Sequence, residues 1–188
     1  MALTLAAGRS HLLVIDVQDR LAPVVDGVDG VVATVRFLAE VAGLCAVPTL
    51  ITEQYPKGLG HTVSDVLSSS AKPQVVEKTA FSAARESKVM IRLRKKRDEQ
   101  RRDQIVITGM EAHICVLQTA LELQEQGYTV FVVADGVSSR HIGSRDIALS
   151  RLAHAGVTPV TSEMVAFEWV GDAKAKMFKQ VSSLVRHR

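Results

Sequence analysis

The hydrophobic and polar positions of this chain follow two alternating rhythms. Six short apolar runs, rich in β-branched residues, read as strands: HLLVID (11–16), PTLITE (48–53), QVVEK (74–78), QIVIT (104–108), YTVFVVAD (128–135) and VTPVTS (157–162). Most are continuously apolar rather than alternating, as expected for strands covered on both faces. Between them, apolar residues return at helical spacing. The predicted helices cover 31–46, a short stretch around 62–68, 84–99, about 113–126 with a stop at Gly127, and 143–155 with a stop at Gly156. MVAFEWV forms a turn of helix, and AKAKMFKQVSSLVR closes the chain as a helix. YPKGLG (55–60) is too turn-rich for a regular element, and Thr108 with Gly109 ends the fourth strand. Pro159 predicts an edge position or a strand end for the sixth.

Strands and helices in strict alternation predict an α/β fold. We expect one three-layer α-β-α domain over residues 1–188, with a six-stranded, parallel, Rossmann-like sheet. There is no internal repeat, low-complexity tract or linker. Open sheets of this kind bind ligands outside the carboxyl ends of their strands, so the residues that end the strands carry the functional question.

Three of those residues are chemically suggestive. Asp16 closes the first strand, Lys78 closes the third, and Cys115 falls in the first turn of the helix after the fourth. Parallel strands bring all three to one rim. Unpaired N–H groups and the positive helix end predict a thiolate at Cys115, with an oxyanion hole from the same turn. A carboxylate can take the thiol proton, and an ammonium can lower the thiol pKa and stabilise developing negative charge. Each residue also has a structural reading: a turn-capping aspartate, an exposed strand-end lysine, a packed cysteine. Their coincidence at one edge favours chemistry. His113 lies two residues before Cys115, faces away from it on a helix, and so cannot pair with the thiol. It belongs to packing or to the pocket mouth. Arg140 and His141 follow the fifth strand at the same rim.

Composition narrows the class. The chain of 188 residues is 47% hydrophobic with net charge +3, which is ordinary for a globular protein. No stretch could span a bilayer. The opening MALTLAAGRSH lacks the basic start and extended apolar core of a targeting peptide. It reads as a lead-in to the first strand, and the expected location is cytoplasmic. Two cysteines make neither a disulfide framework nor a zinc pattern, and Cys45, late in an apolar helix, is assigned to packing. The charge is uneven: residues 92–102, RLRKKRDEQRR, carry a local +5, leaving about −2 elsewhere. A nucleic-acid surface is one reading of that patch. The favoured one is the solvated face of a helix whose inner face is Val89, Met90 and Leu93, because no aromatic residues interleave for base stacking.

Three motifs occur in order with compatible spacing: LLVIDVQ with Asp16, VVEKTAFSA with Lys78 and TGMEAHICVLQTA with Cys115. Together with TEQYPKGLG, ADGVSSR and TSEMVAFE, they resemble the isochorismatase-like cysteine hydrolases nearly end to end. They point to the branch of isochorismatase-domain proteins and bacterial hydrolases of unassigned substrate. The resemblance implies a Cys115-Asp16-Lys78 triad and usually a homo-oligomer. It also implies a non-proline cis peptide at Met110–Glu111, with the N–H groups of Glu111 and Cys115 sharing an oxyanion. By family position, Gln18, Tyr55, Phe81 and the Glu111 side chain shape the substrate pocket, with His113 at its mouth. The metal cluster of the nicotinamidase branch is missing. Glu53, Gln54 and Tyr55 stand in its place with only His61 further on, so neither metal nor cofactor is expected. True isochorismatase needs no thiol nucleophile, so Cys115 points to acyl or C–N chemistry on a small molecule. Two alternatives stand beside this reading: an oligomeric scaffold of the same fold without strong catalysis, and a nucleic-acid-acting protein that uses 92–102.

Overall fold

The computed structural model describes residues 4–69 and 73–187; the first three residues of the lead-in lie outside them. In chain order the elements are β1 (Ser10–Ile15), α1 (Val28–Leu44), β2 (Thr49–Gln54), α2 (Pro56–Leu59), α3 (Ser64–Ser69), β3 (Gln74–Lys78), α4 (Ser87–Gln100), β4 (Gln104–Met110), α5 (Leu117–Glu125), β5 (Thr129–Ser138), α6 (Ile142–His154), β6 (Thr158–Val160), α7 (Ser162–Val170) and α8 (Phe178–Arg186). The six strands form one sheet in the order β3-β2-β1-β4-β5-β6, and every neighbouring pair is parallel. Strand order reverses between β1 and β4, which opens a crevice at their carboxyl ends.

The apolar runs have a simple physical cause. All six residues of β1 are buried. Leu12 and Val14 pack into one core with α1, α7 and α8, while Leu13 and Ile15 pack into the other with α4, α5 and α6. A central strand with helices on both faces has no solvent side, so a polar alternation would be penalised on either face. Pro159 lies in β6, at an edge of the sheet. Cys45 packs in the first core beside Val41 and Val47. Val89, Met90 and Leu93 form the buried face of α4, as the pattern predicts.

Several boundaries differ from the sequence reading, each for a local reason. YPKGLG contains one helical turn, α2, started by Pro56 with its preset φ. MVAFEWV belongs to a nine-residue helix, capped by the Thr161 side chain accepting from the Met164 N–H. The final helix begins only at Phe178. β5 runs on to Ser138 beyond a register shift opposite Ile107–Gly109, so the glycine-containing stretch after Asp135 stays in the sheet. Strand β4 likewise passes through Thr108 and Gly109 to Met110 rather than stopping there.

Gly109 explains how. Its φ is +117°, and a Cβ on it would stand 2.0 Å from the Ile15 carbonyl oxygen. The glycine lets β4 press directly against β1 just below Asp16. Gly109→Ala is therefore expected to cost about 3 kcal/mol or more, from strain and from forcing the two central strands apart. Urea denaturation would show it, and a midpoint equal to wild type would contradict the close-approach argument.

Candidate active site

The candidate site is built from strand ends upward. Asp16 follows β1 directly, with a left-handed φ of 51°. Aspartate tolerates that region better than most residues. Its N–H donates to the Thr52 carbonyl at 3.2 Å, which holds the turn to β2. The carboxylate is enclosed: Thr52 Oγ1 donates to Oδ1 at 2.7 Å, and Lys78 Nζ stands 2.7 Å from Oδ2. Both charged side chains are 0% exposed.

Lys78 lies on β3, two strand spacings from β1, roughly 9.6 Å away. Only a long stem on the correct face bridges that gap. Along the way Nζ donates to Gln54 Oε1 at 2.6 Å, and it also meets the carbonyls of Ala80 (3.2 Å) and Phe81 (3.1 Å). The ammonium is thus buried but well surrounded by acceptors, as a buried charge requires.

Cys115 arrives from the other side of the crevice. Between β4 and α5 the chain makes a wide π turn over Ala112–Val116, with Val116 N–H donating to the Glu111 carbonyl at 3.2 Å. Such turns often mark functional positions. The Met110–Glu111 peptide that leads into it is cis. The turn brings the thiol close enough to Asp16 and Lys78 for both charges to act on it. The three residues singled out in the sequence therefore meet at one point.

Their electrostatics correct one expectation. The helix end was expected to favour a thiolate, yet burial and the adjacent Asp16 charge push the Cys115 thiol up to about 12, against a weaker pull from Lys78. At rest the sulfur holds its proton. Burial also raises Asp16 above the ordinary carboxylate range, although Lys78, Thr52 and Cys115 all oppose it.

The remaining predicted residues divide. Tyr55 and Phe81 are 55% and 56% exposed and flank Lys78: Tyr55 N–H donates to its carbonyl at 2.9 Å, and the Phe81 carbonyl accepts from its ammonium. They form an aromatic lip. Gln18 is fully buried, and its amide is already engaged: Nε2 donates to the Gln54 and Gly60 carbonyls, and Oε1 accepts from Gln54 N–H at 2.7 Å. It fastens the loop after β2. His113 shares a 2.9 Å hydrogen bond with Ser139 Oγ. The buried Glu111 carboxylate accepts from both the N–H and Nε of Arg140, tying the turn that carries Cys115 to the end of β5. His141 is exposed as the residue preceding α6.

Glu53 accepts from Thr62 N–H and Oγ1 and pairs with His61 at 3.0 Å; the contact raises the histidine pKa. Among the described residues, no three His, Cys, Asp or Glu side chains gather as a metal-holding group. Nor is any helix long and apolar enough to cross a membrane. The sequence reading missed Thr52 and Gln54 as parts of the site. They share one face of β2 between Asp16 and Lys78, a relation visible only once the strand order is known.

Comparison with known proteins now has a geometry to attach to. The isochorismatase domain matches residues 10–164. The chain belongs to the isochorismatase family. Isochorismatase family protein 1A of Dictyostelium discoideum is 35% identical over 187 residues, covering 98% of this chain and 89% of its own. Isochorismatase domain-containing protein 2 of Danio rerio is 39% identical over 178 residues, covering 95% and 87%. The solved structure of MAR1 ribonuclease from Caenorhabditis elegans superposes with a TM-score of 0.91 at 35% identity, covering 97% of this chain and 92% of that one. This isochorismatase-like hydrolase has the family's six-stranded parallel sheet.

A substitution separates the roles of the two charges beside the thiol. Asp16→Asn removes the negative neighbour while keeping an oxygen for Lys78 or Thr52. The Cys115 pKa should then fall well below about 12. Alkylation near pH 8 should become faster than in wild type, even as any base-dependent turnover is lost. An unchanged alkylation profile in the folded variant would show that Asp16 does not govern the thiol.

Proposed function

We propose that this chain is a cysteine-dependent hydrolase of the C–N bond in a small amide-type substrate. The supporting observation is the enclosed contact of Cys115, Asp16 and Lys78 at the sheet's switch point. A thiol held at about 12 is a weak nucleophile until a base removes its proton. An aspartate raised by burial is a better base than an ordinary carboxylate, so the same desolvation that quiets the sulfur prepares its partner.

The steps balance. Asp16 takes the thiol proton as sulfur bonds to the substrate carbonyl carbon. The N–H groups of Glu111 and Cys115 receive the oxyanion, with the Lys78 charge nearby. As the C–N bond breaks, Asp16 returns the proton to the leaving amine. Water then attacks the thioester, Asp16 takes its proton, and the sulfur regains one as the acid departs. Tyr55 and Phe81 supply an apolar edge for the substrate, and the Glu111–Arg140 pair borders the opposite side. The scheme calls on no cofactor. We place the protein in the cytoplasm as a homo-oligomer.

A second reading has its own observation. The Caenorhabditis elegans structure at 35% identity is named a ribonuclease, and α4 carries the basic patch. RNA bound there and cut at Cys115 would unite the two. The patch, however, concentrates toward the carboxyl end of α4, near the amino ends of the strands. The candidate catalytic rim is a strand length away, roughly 16 Å. A small acyl substrate needs no such span.

Cys115→Ala should lower hydrolysis of a small amide by about 10³-fold or more and abolish the trapped thioester, with the fold retained. Mass spectrometry of the enzyme after a screen of amides, ureides and esters reads the adduct directly. No adduct on Cys115 with any of them would favour the scaffold, and RNA cleavage that persists in the alanine variant would disconnect that activity from this site. The pH profile adds a sign. Catalysis requires ionised Asp16, so the rate should fall with decreasing pH through an apparent pKa above the usual aspartate value near 3.9.

A further inference from the structure

The opposite edge of the sheet holds a second concavity. The amino ends of β1, β2 and β3, with the carboxyl end of α1 and the outer turns of α4, enclose about 650 Å³. That volume is within the range of small-molecule sites. One wall is apolar, from Ala42, Val47, Pro48 and Leu50. The other presents four cations, Arg92, Lys95, Lys96 and Arg102, and no acidic side chain lines the cavity among the described residues.

The floor contains His11, which is 3% exposed, with its Nε2 buried and without a hydrogen-bond partner. Burial first, and then the charges of Arg102 and Lys96, hold the imidazole neutral, its pKa lowered to about 4. An orphaned buried nitrogen is uncommon in a folded protein and calls for an explanation. His11 lines a chamber in which positive charge is not balanced. Arg102 is partly committed, since its Nη1 donates to the Ala7 and Ser10 carbonyls and its Nη2 to Ala46. It therefore contributes charge more than free donors. Lys95 is exposed and Lys96 half-buried, both on the turns of α4 that face the chamber.

We propose that this cavity binds a small organic phosphate of nucleotide size, at a site separate from the catalytic rim. Several cations converging on one opening suit a compact dianion better than a carboxylate. The apolar wall suits an organic group attached to that phosphate. Lys95, Lys96 and Arg92 face the anion, Arg102 deepens the potential, and the His11 ring lines the chamber close enough to sense the bound charge. The length of β1, roughly 16 Å, separates His11 from Asp16. A ligand held here is bound, not turned over.

The probe is adenosine 5′-monophosphate added to the full chain, followed through the His11 ring resonances, with adenosine as the uncharged control. The nucleotide should shift His11 saturably and adenosine should not. The surface double variant Lys95→Gln/Lys96→Gln should weaken the nucleotide at least about ten-fold while Cys115 alkylates at the wild-type rate. No His11 response, an equal response to adenosine, or unchanged affinity in the double variant would each overturn the proposal. Single-stranded RNA that binds through the same lysines while the nucleotide leaves His11 unmoved would also overturn it, in favour of an extended nucleic-acid surface.

Discussion

The ion pair between Asp16 and Lys78 is the constraint on which the rest of the rim depends. Two opposite charges, both fully withdrawn from water, are tolerated only because each is surrounded by donors or acceptors as well as by the other. Removing one partner from a buried pair of this kind typically costs about 3–5 kcal/mol, mostly as the penalty of an uncompensated charge. That penalty fixes structure. It requires β3 to lie two places from β1, β2 to present Thr52 and Gln54 on one face, and the loop after β3 to turn its carbonyls inward. A slip of one residue in any of these registers would send the needed side chain to the other face of the sheet.

The supporting residues are accordingly arranged to prevent slippage. Gln54 is the centre of that support. Its side-chain oxygen holds Lys78, its side-chain nitrogen holds the Thr79 carbonyl, and its backbone is gripped at both N–H and C=O by Gln18. Gln18 in turn reaches the Gly60 carbonyl, so the loop that carries Tyr55 is fastened to the end of β1. On the other flank, Glu111 and His113 hold Arg140 and Ser139, tying the turn that carries Cys115 to β5. The thiol is therefore approached from two independently braced sides, which is what preorganised chemistry demands.

The fold was legible because desolvation leaves a strong mark on sequence. A strand buried on both faces has to be apolar throughout, and β1, β4 and β5 read that way. Asp16, Lys78 and Cys115 stand out for a related reason: two are charged residues at the ends of apolar strands, and the third is a thiol in the turn that follows one. Other features do not. Thr52 and Gln54 look like ordinary strand residues until strand order sets them between the two charges. Gln18 is expected near the pocket by family position alone, and its backbone partners are brought near by a loop whose path no periodicity encodes. The thiol pKa was read from local helix geometry. It is set instead by total burial and a carboxylate 99 positions earlier in the chain, and desolvation outweighs the half-charge of a helix end.

The two ends of the sheet show how the same residue types acquire different meanings. At the carboxyl rim, each buried charge faces an opposite charge or a set of dipoles, and the electrostatics close within the protein. At the amino edge, His11, Lys96 and Arg102 lie together without an acid, and burial and neighbouring positive charge act on the imidazole in the same direction. A fold can keep an unbalanced cluster at the surface because water and salt screen it. Placing a buried, unpartnered nitrogen at its base is harder to account for by solvation alone. The contrast is one of charge: the carboxyl rim is balanced within the protein, whereas the cations lining the amino-edge chamber meet no acidic side chain among the described residues.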